Sequence, residues 1–323
     1  MNKLMAQLTR FTLLAKSRRA ALGLFMLVSM TAIMACVTTN TSNTASIPST
    51  NYNSRVSILV IHHTSANYES SVNILTKPSS RPVSSHYLVP DPSDETYTRK
   101  KLEVFELVPE TGRAWHAGNS YWAGKSALND HSIGIEIVNQ TYCVKPGAQK
   151  AAPTSMQASS NSPRRFCFYP DFPETQMEIL IELIQGIQER HPRIDPTHIV
   201  GHSDIAPSRK IDPGPRFPWE RLYQLGYGAW FDDETAVKHW EQFSTTPMPL
   251  VNVQKALHIY GYKIEATGVL DEQTRNVLRA FQMHFRPMEI TGEPSLESTA
   301  ILYALIEKYR PRHLSDLLVI APR

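Results

Sequence analysis

The stretch RVSILVIHHTS, Arg55–Ser65, decides the class of fold. Ile58 to Ile61 is a continuous apolar run, which predicts a strand covered on both faces. That strand runs straight into His62. Working outward, SSHYLVP (84–90) and VFELVPE (104–110) predict two further strands. SIGIEIVN (132–139) predicts a fourth, with Ile133, Ile135 and Ile137 alternating against Gly134 and Glu136. PETQMEILIELIQGIQERH (173–191) places Met177, Leu180, Ile184 and Ile187 at helical spacing. THIVGHSD (197–204) predicts a short strand that ends at His202. Mixed strands and helices give an expected α/β class, a central mixed β-sheet flanked by helices.

A second unit is expected beyond FSTTPMP (243–249). Val253, Ala256, Leu257 and Tyr260 have helical spacing, and Gly261 stops the run. Asp271 is the expected N-cap of a helix through Val277, Leu278 and Phe281, and Ser295 that of a third. These predict a small C-terminal three-helix bundle over residues 245–311, with Tyr260 and Tyr262 as core.

With 323 residues the chain has room for one large domain or two ordinary ones. Its net charge of +3 comes from the N-terminus. The first 35 residues hold Lys3, Arg10, Lys16, Arg18 and Arg19 and no acid, leaving 28 basic against 30 acidic residues in the rest. Nothing in that balance argues for nucleic acid. After Arg19 an apolar run reaches Cys36, short for a membrane span and followed by Ser, Thr and Asn. Residues 1–35 therefore read as a targeting segment, and the resemblance of its boundary, Ile33–Cys36, to a bacterial lipobox implies a lipoprotein signal peptide over 1–35 and a lipidated Cys36 with a flexible tether over 36–54. An uncleaved anchor or a plain secretory signal are the alternatives.

Cys143 and Cys167 bracket a Pro-, Ser-, Ala- and Gln-rich insertion whose composition predicts a mobile loop. An exported chain meets an oxidising compartment, so the two are expected to pair, worth about 3 kcal/mol in the chain-entropy picture. Two free thiols are the alternative. A metal site there lacks any CxxC spacing.

The chemistry gathers at strand ends. His62 and His202 each close a short apolar strand, and Asp212 follows in the Pro-rich loop GHSDIAPSRKIDPGP (201–215). Two imidazoles and a carboxylate suit catalytic Zn2+ with one position open. The same trio also occurs as a satisfied structural cluster. Glu136 lies on the face of its strand opposite Ile135 and Ile137, and lines a cleft or meets solvent. In a cleft it can serve as general base. Lys210 offers a fixed cation for a developing oxyanion. Together these compose the chemistry of amide hydrolysis.

ILVIHHTS, SSHYLVP, AWHAGNS, LNDHSIGIEIVN and GHSDIAPSRKIDPGPRFPW resemble, in order, the motifs of the zinc-dependent amidase-2 group of N-acetylmuramoyl-L-alanine amidases, relatives of the peptidoglycan recognition proteins. The resemblance spans about Arg55 to Trp230, and AFQMHFRP (280–287) resembles part of a peptidoglycan-binding module. It implies a zinc amidase domain over 55–232 and a peptidoglycan-binding-like helical domain over 245–311. It implies cleavage between N-acetylmuramic acid, its anhydro form being an open alternative, and L-alanine in peptidoglycan or muropeptides. By motif, His62, His202 and Asp212 would hold zinc, Glu136 would be the base and Lys210 the oxyanion cation. His86, Trp115, His116 and Arg209 would bind substrate. The boundary IMAC, Ile33–Cys36, resembles a bacterial lipobox, and Val37 in place of Asp then favours the outer membrane, facing the periplasm.

His63 faces away from His62 along a strand and is read as packing. Asp204 is read as a brace of its loop, and Asn129 and Asp130 as supports for the Glu136 strand. A non-catalytic peptidoglycan-binding receptor is the alternative function. A zinc peptidase has less support, since no HExxH helix is present. No obligate protein partner is evident.

Overall fold

The computed structural model describes residues 46–144 and 166–319. The expected signal segment, Cys36 and most of the bracketed insertion lie outside the described residues. Residues 46–54 are exposed and without regular structure. In chain order the elements are β1 (Ile58–His63), α1 (Tyr68–Thr76), β2 (Tyr87–Val89), β3 (Phe105–Glu106), β4 (Tyr121–Trp122), β5 (Lys125–Ser126), β6 (Ser132–Ile137), β7 (Tyr142–Val144), β8 (Phe166–Phe168) and α2 (Glu174–Arg190). There follow β9 (Ile199–Gly201), α3 (His202–Ile205), α4 (Trp219–Gln224), α5 (Asp233–Thr245), α6 (Leu250–Tyr260), α7 (Glu272–Phe285), α8 (Leu296–Tyr309) and α9 (Leu314–Leu318).

The central sheet has the order β3-β2-β6-β1-β9. β1 is parallel to β6 and β9, β2 is parallel to β6, and β3 joins β2 antiparallel. Every residue of β1 is buried, as a central parallel strand requires. Its alternation divides the interior. Leu59 and Ile61 join Ile133, Ile135 and Ile137 against Met177, Leu180, Ile184 and Ile187 of α2. Ile58 and Val60 face the other way, into a core with Trp122, Val200 and the helical residues Val253, Leu257, Tyr260 and Phe281. His62 has the parity of Ile58 and Val60, and Glu136 is its register partner on β6.

The expected helices near 250–260, 272–285 and 296–309 are present, with Asp271 and Ser295 as side-chain N-caps. Two further helices extend the bundle. α9 follows it, and α5 precedes it and packs against α8. α5 left a faint trace in the sequence, because only Ala236, His239 and Phe243 along it are buried. His202 differs slightly from expectation. It opens the one-turn helix α3 instead of closing β9. Cys143 and Cys167 sit directly opposite on the β7–β8 hairpin and are joined as a disulfide.

Candidate active site

Parallel register brings the site together. Ile61 pairs with Gly201 and His62 with Glu136, so His202, one residue beyond Gly201, stands level with both. The three therefore share the carboxyl edge of β6, β1 and β9, where open α/β sheets place their ligands. Asp212 arrives from the following loop, tied there by the Ser203 N–H, which donates to its carbonyl at 2.8 Å.

The ligand atoms converge. His62 Nδ1 lies 2.9 Å from His202 Nδ1 and 3.0 Å from Asp212 Oδ2, and His202 Nδ1 lies 3.1 Å from that same oxygen. All three residues are buried, and among the described residues they are the group placed to hold a metal ion. Their partners fix which nitrogens carry protons. Ser132 Oγ donates to the Leu128 carbonyl at 2.6 Å, so it accepts from His116 Nε2 at 3.2 Å. His116 Nδ1 is then bare and accepts from His62 Nε2 at 2.9 Å. That leaves His62 Nδ1 without a proton. His202 Nε2 lies 3.2 Å from the Ala117 carbonyl, which can only accept, and 3.4 Å from Arg209 Nη2; a proton on Nε2 serves the nearer carbonyl and leaves His202 Nδ1 bare as well.

The charges agree with that assignment. Burial, reinforced by His62 and Lys210, pushes the His202 pKa down to about 3, keeping the ring neutral. Burial would raise the Asp212 pKa, but its close contacts with His202 and His62 and the Lys210 charge outweigh it and hold the carboxyl well below its usual range, so it is a carboxylate. Two bare nitrogens and a carboxylate oxygen at these separations repel one another unless a cation lies between them. The edges of a zinc tetrahedron with these donors are about 3.3 Å, given bond lengths of roughly 2.0–2.1 Å, so the donor set fits zinc.

Glu136 lies on the same face as His62. Its Oε2 is buried without a hydrogen-bond partner among the described residues, and burial raises its pKa. Lys210 is partly buried and adds positive potential at both Asp212 and Glu136. Trp115 is 48% exposed.

The other expected substrate contacts, His86, His116 and Arg209, already have partners within the protein. His116 is buried behind His62 and orients it, with burial and neighbouring His62 holding its pKa well below the ordinary value. His86 is fully buried. Its Nδ1 accepts the Gly134 N–H at 3.0 Å, and burial lowers its pKa to about 4. The His116 ring is inside because the sheet face at Gly134 has no side chain to fill it. The Arg209 guanidinium is bound to the Ala117 carbonyl at 2.5 Å and the Asn119 carbonyl at 2.9 Å, so it clamps the 117–119 turn. Asn129 Oδ1 accepts from the backbone of His116 and Ala117 at 3.1 and 2.7 Å, bracing that segment and not the Glu136 strand. His63 is buried on the far face beside Ser65.

Sequence reading also passed over Tyr169. Burial and the Asp212 charge push this phenol up to about 12, so it stays protonated beside the ligand loop. Its ring lies against Gly214, where a Cβ would come within 2.7 Å of it. The residue follows the disulfide hairpin, and no motif marked it.

A family profile described as N-acetylmuramoyl-L-alanine amidase matches residues 52–215, and one described as a putative peptidoglycan binding domain matches 249–302. The chain is 41% identical over 256 residues to N-acetylmuramoyl-L-alanine amidase AmiD of Escherichia coli, covering 79% of this chain and 84% of that protein. The crystal structure of AmpDh3 from Pseudomonas aeruginosa in complex with anhydromuramic pentapeptide is similar with a TM-score of 0.72 and 41% identity, over 82% of this chain and 96% of that one. The E. coli AmiD complex with anhydro-N-acetylmuramic acid-L-Ala-D-gamma-Glu-L-Lys gives 0.65 and 36%, over 81% and 93%. By strand-end site, fold and sequence alike, the chain belongs to the N-acetylmuramoyl-L-alanine amidase family.

Proposed function

We propose that this amidase works with zinc held by His62, His202 and Asp212. Its substrates are muropeptides or peptidoglycan, in which it cleaves the amide between N-acetylmuramic acid, the 1,6-anhydro form included, and L-alanine. The observation that carries the reading is the buried triangle of three proton-free donor atoms at the strand ends. The inclusion of the anhydro form is supported by the ligands of the two similar solved complexes.

When bound, the ion supplies Lewis acidity, acidifying water and polarising the scissile carbonyl. Glu136 takes the proton of the attacking water as the oxygen adds to the lactyl carbon, and passes it to the alanine nitrogen as the C–N bond breaks. Its raised pKa suits both halves of that transfer. Lys210 faces the negative charge that develops on the carbonyl oxygen. Trp115 walls the groove. The helical region, matched as a peptidoglycan binding domain, would hold the polymer near the site. Cys36, after a basic and apolar leader, would be lipidated and anchor the enzyme at the outer membrane facing the periplasm.

Product analysis tests the catalytic reading. Soluble protein lacking residues 1–36 is incubated with anhydromuramoyl and muramoyl tripeptides, as prepared, after chelation and after zinc return. Release of peptide with a free L-alanine amino terminus, lost on chelation and reduced about 10²–10⁴-fold in Glu136→Gln, is the expected result. Binding without cleavage by the zinc-loaded protein would leave only the receptor. For the anchor, Cys36→Ser should move the protein from the membrane to the soluble fraction. An unchanged distribution rejects it.

A further inference from the structure

His202 stands on α3, a single helical turn, too short to hold its own geometry. What holds it comes from elsewhere. Asp204, on the same turn, is 1% exposed, and a buried carboxylate is costly unless its oxygens are satisfied. Its Oδ2 accepts the Gly201 N–H at 2.8 Å, directly before His202, and His284 Nδ1 at 2.8 Å. Its Oδ1 accepts the Tyr262 hydroxyl at 2.6 Å. Both side-chain donors belong to the helical region, Tyr262 just after α6 and His284 on α7.

Those donors are themselves fixed. The His284 ring is stacked between Trp219 and Phe285, with centroids 3.9 and 4.0 Å away and interplanar angles of 15° and 11°. Tyr262 meets the edge of buried Trp122 at 4.9 Å. Gly261 has φ 151°, and a Cβ there would come within 2.8 Å of the Trp122 ring. The Gly261 carbonyl accepts the Ala123 N–H at 2.9 Å, completing the seam.

We propose that Asp204, Tyr262 and His284 form a brace through which the helical region sets the direction of His202, so that this region controls metal affinity at the active site as well as contacting the cell wall. The proposal rests on the zinc reading. Tyr262 and His284 are positioning residues. Neither touches the ligand triangle, and both act through Asp204 on the Gly201–His202 backbone. Loss of the Tyr262 hydroxyl leaves Oδ1 of a buried carboxylate unpaired, and loss of His284 leaves Oδ2 with the Gly201 N–H alone; either way the carboxylate turns toward another partner, taking the turn with it.

The test compares full-length soluble protein with Tyr262→Phe, His284→Leu, His284→Asn and a control, Tyr303→Phe. The control removes one buried phenol hydroxyl of the same region, bonded to the Leu317 carbonyl at 3.2 Å and remote from Asp204. Each protein is titrated with zinc against a chromophoric chelator. The visible spectrum of the cobalt-substituted form, kcat and KM with anhydromuramoyl tripeptide, and thermal unfolding are also recorded. Tyr262→Phe and His284→Leu should weaken zinc about tenfold or more, shift the cobalt bands and lower kcat with KM nearly unchanged. His284→Asn, whose amide can donate from the position of Nδ1, should restore most of the affinity. Tyr303→Phe should lose thermal stability without change in zinc affinity or spectrum. Wild-type zinc affinity and spectrum in Tyr262→Phe, or losses equal to those of Tyr303→Phe, overturn the brace and leave the zinc amidase intact. A wild-type protein that takes up no zinc overturns the zinc reading and the brace with it.

Discussion

A side chain at position 134 would have nowhere to go, since a Cβ built there meets the His116 ring at 2.5 Å. That missing methyl lets His116 lie over the sheet and pass the Ser132 hydrogen bond on to His62. Gly134→Ala should push the ring aside, lower zinc affinity about 10–100-fold and cost roughly 1–3 kcal/mol in stability. Chelator competition and denaturant unfolding check both, and wild-type affinity in this variant would break the proton chain assigned to His62. That His62, His202, Asp212 and Glu136 gather at one place was legible in the sequence because each sits at a strand end or in a rigid loop within a recognisable motif. The burial of His86 and His116 was not, since a motif tells which residues gather but not how deep each lies. Depth at His116 was decided by an absent side chain on the neighbouring strand.

Elements hold one another at points that periodicity does not mark. Glu110, in the turn after β3, accepts from Tyr87 of β2 at 2.8 Å, from Arg190 at 2.7 Å and from His191 at 2.8 Å, pinning the end of α2 to the sheet edge. Burial would raise its pKa, but Arg190, Tyr87 and His191 outweigh this and bring it down to about 2. A folded pKa below the unfolded value of 4.5 means stability that is present above pH 4.5 and lost as pH falls toward 2. Because Arg190 is half exposed, the contribution should be on the order of 2 kcal/mol, less than the full shift implies. Glu110→Gln should be less stable than wild type by about that amount near neutrality, with the gap closing as pH drops from about 4.5 to about 2. Unfolding curves across that range decide it, and a constant gap would contradict the carboxylate's role. β1, β6 and α2 were readable from their apolar patterns, and the strand expected over 104–110 is present but only two residues long, whereas α5 buries three side chains, too few to make a stripe.

At the scale of the whole molecule, the sequence suggested two units, 55–232 and 245–311, joined by a connection. Yet Ile58, Val60, Trp122, Val200 and Ile205 share one apolar core with Val253, Leu257, Tyr260, Tyr262 and Phe281. That sharing was illegible, because an apolar residue announces burial but not its neighbour. Heating the soluble protein should give one calorimetric transition, and a chain ended after Pro247 should aggregate or lose its cooperative unfolding. Two separate transitions, or a well-folded shortened chain, would show that the units are independent. Modules exchanged between genes must arrive with finished surfaces. In this chain neither side of the 245 boundary is finished. The helical region shares its core with the sheet it covers, and an exchange with a relative should succeed only if Trp122, Asp204, Tyr262 and His284 travel as a set.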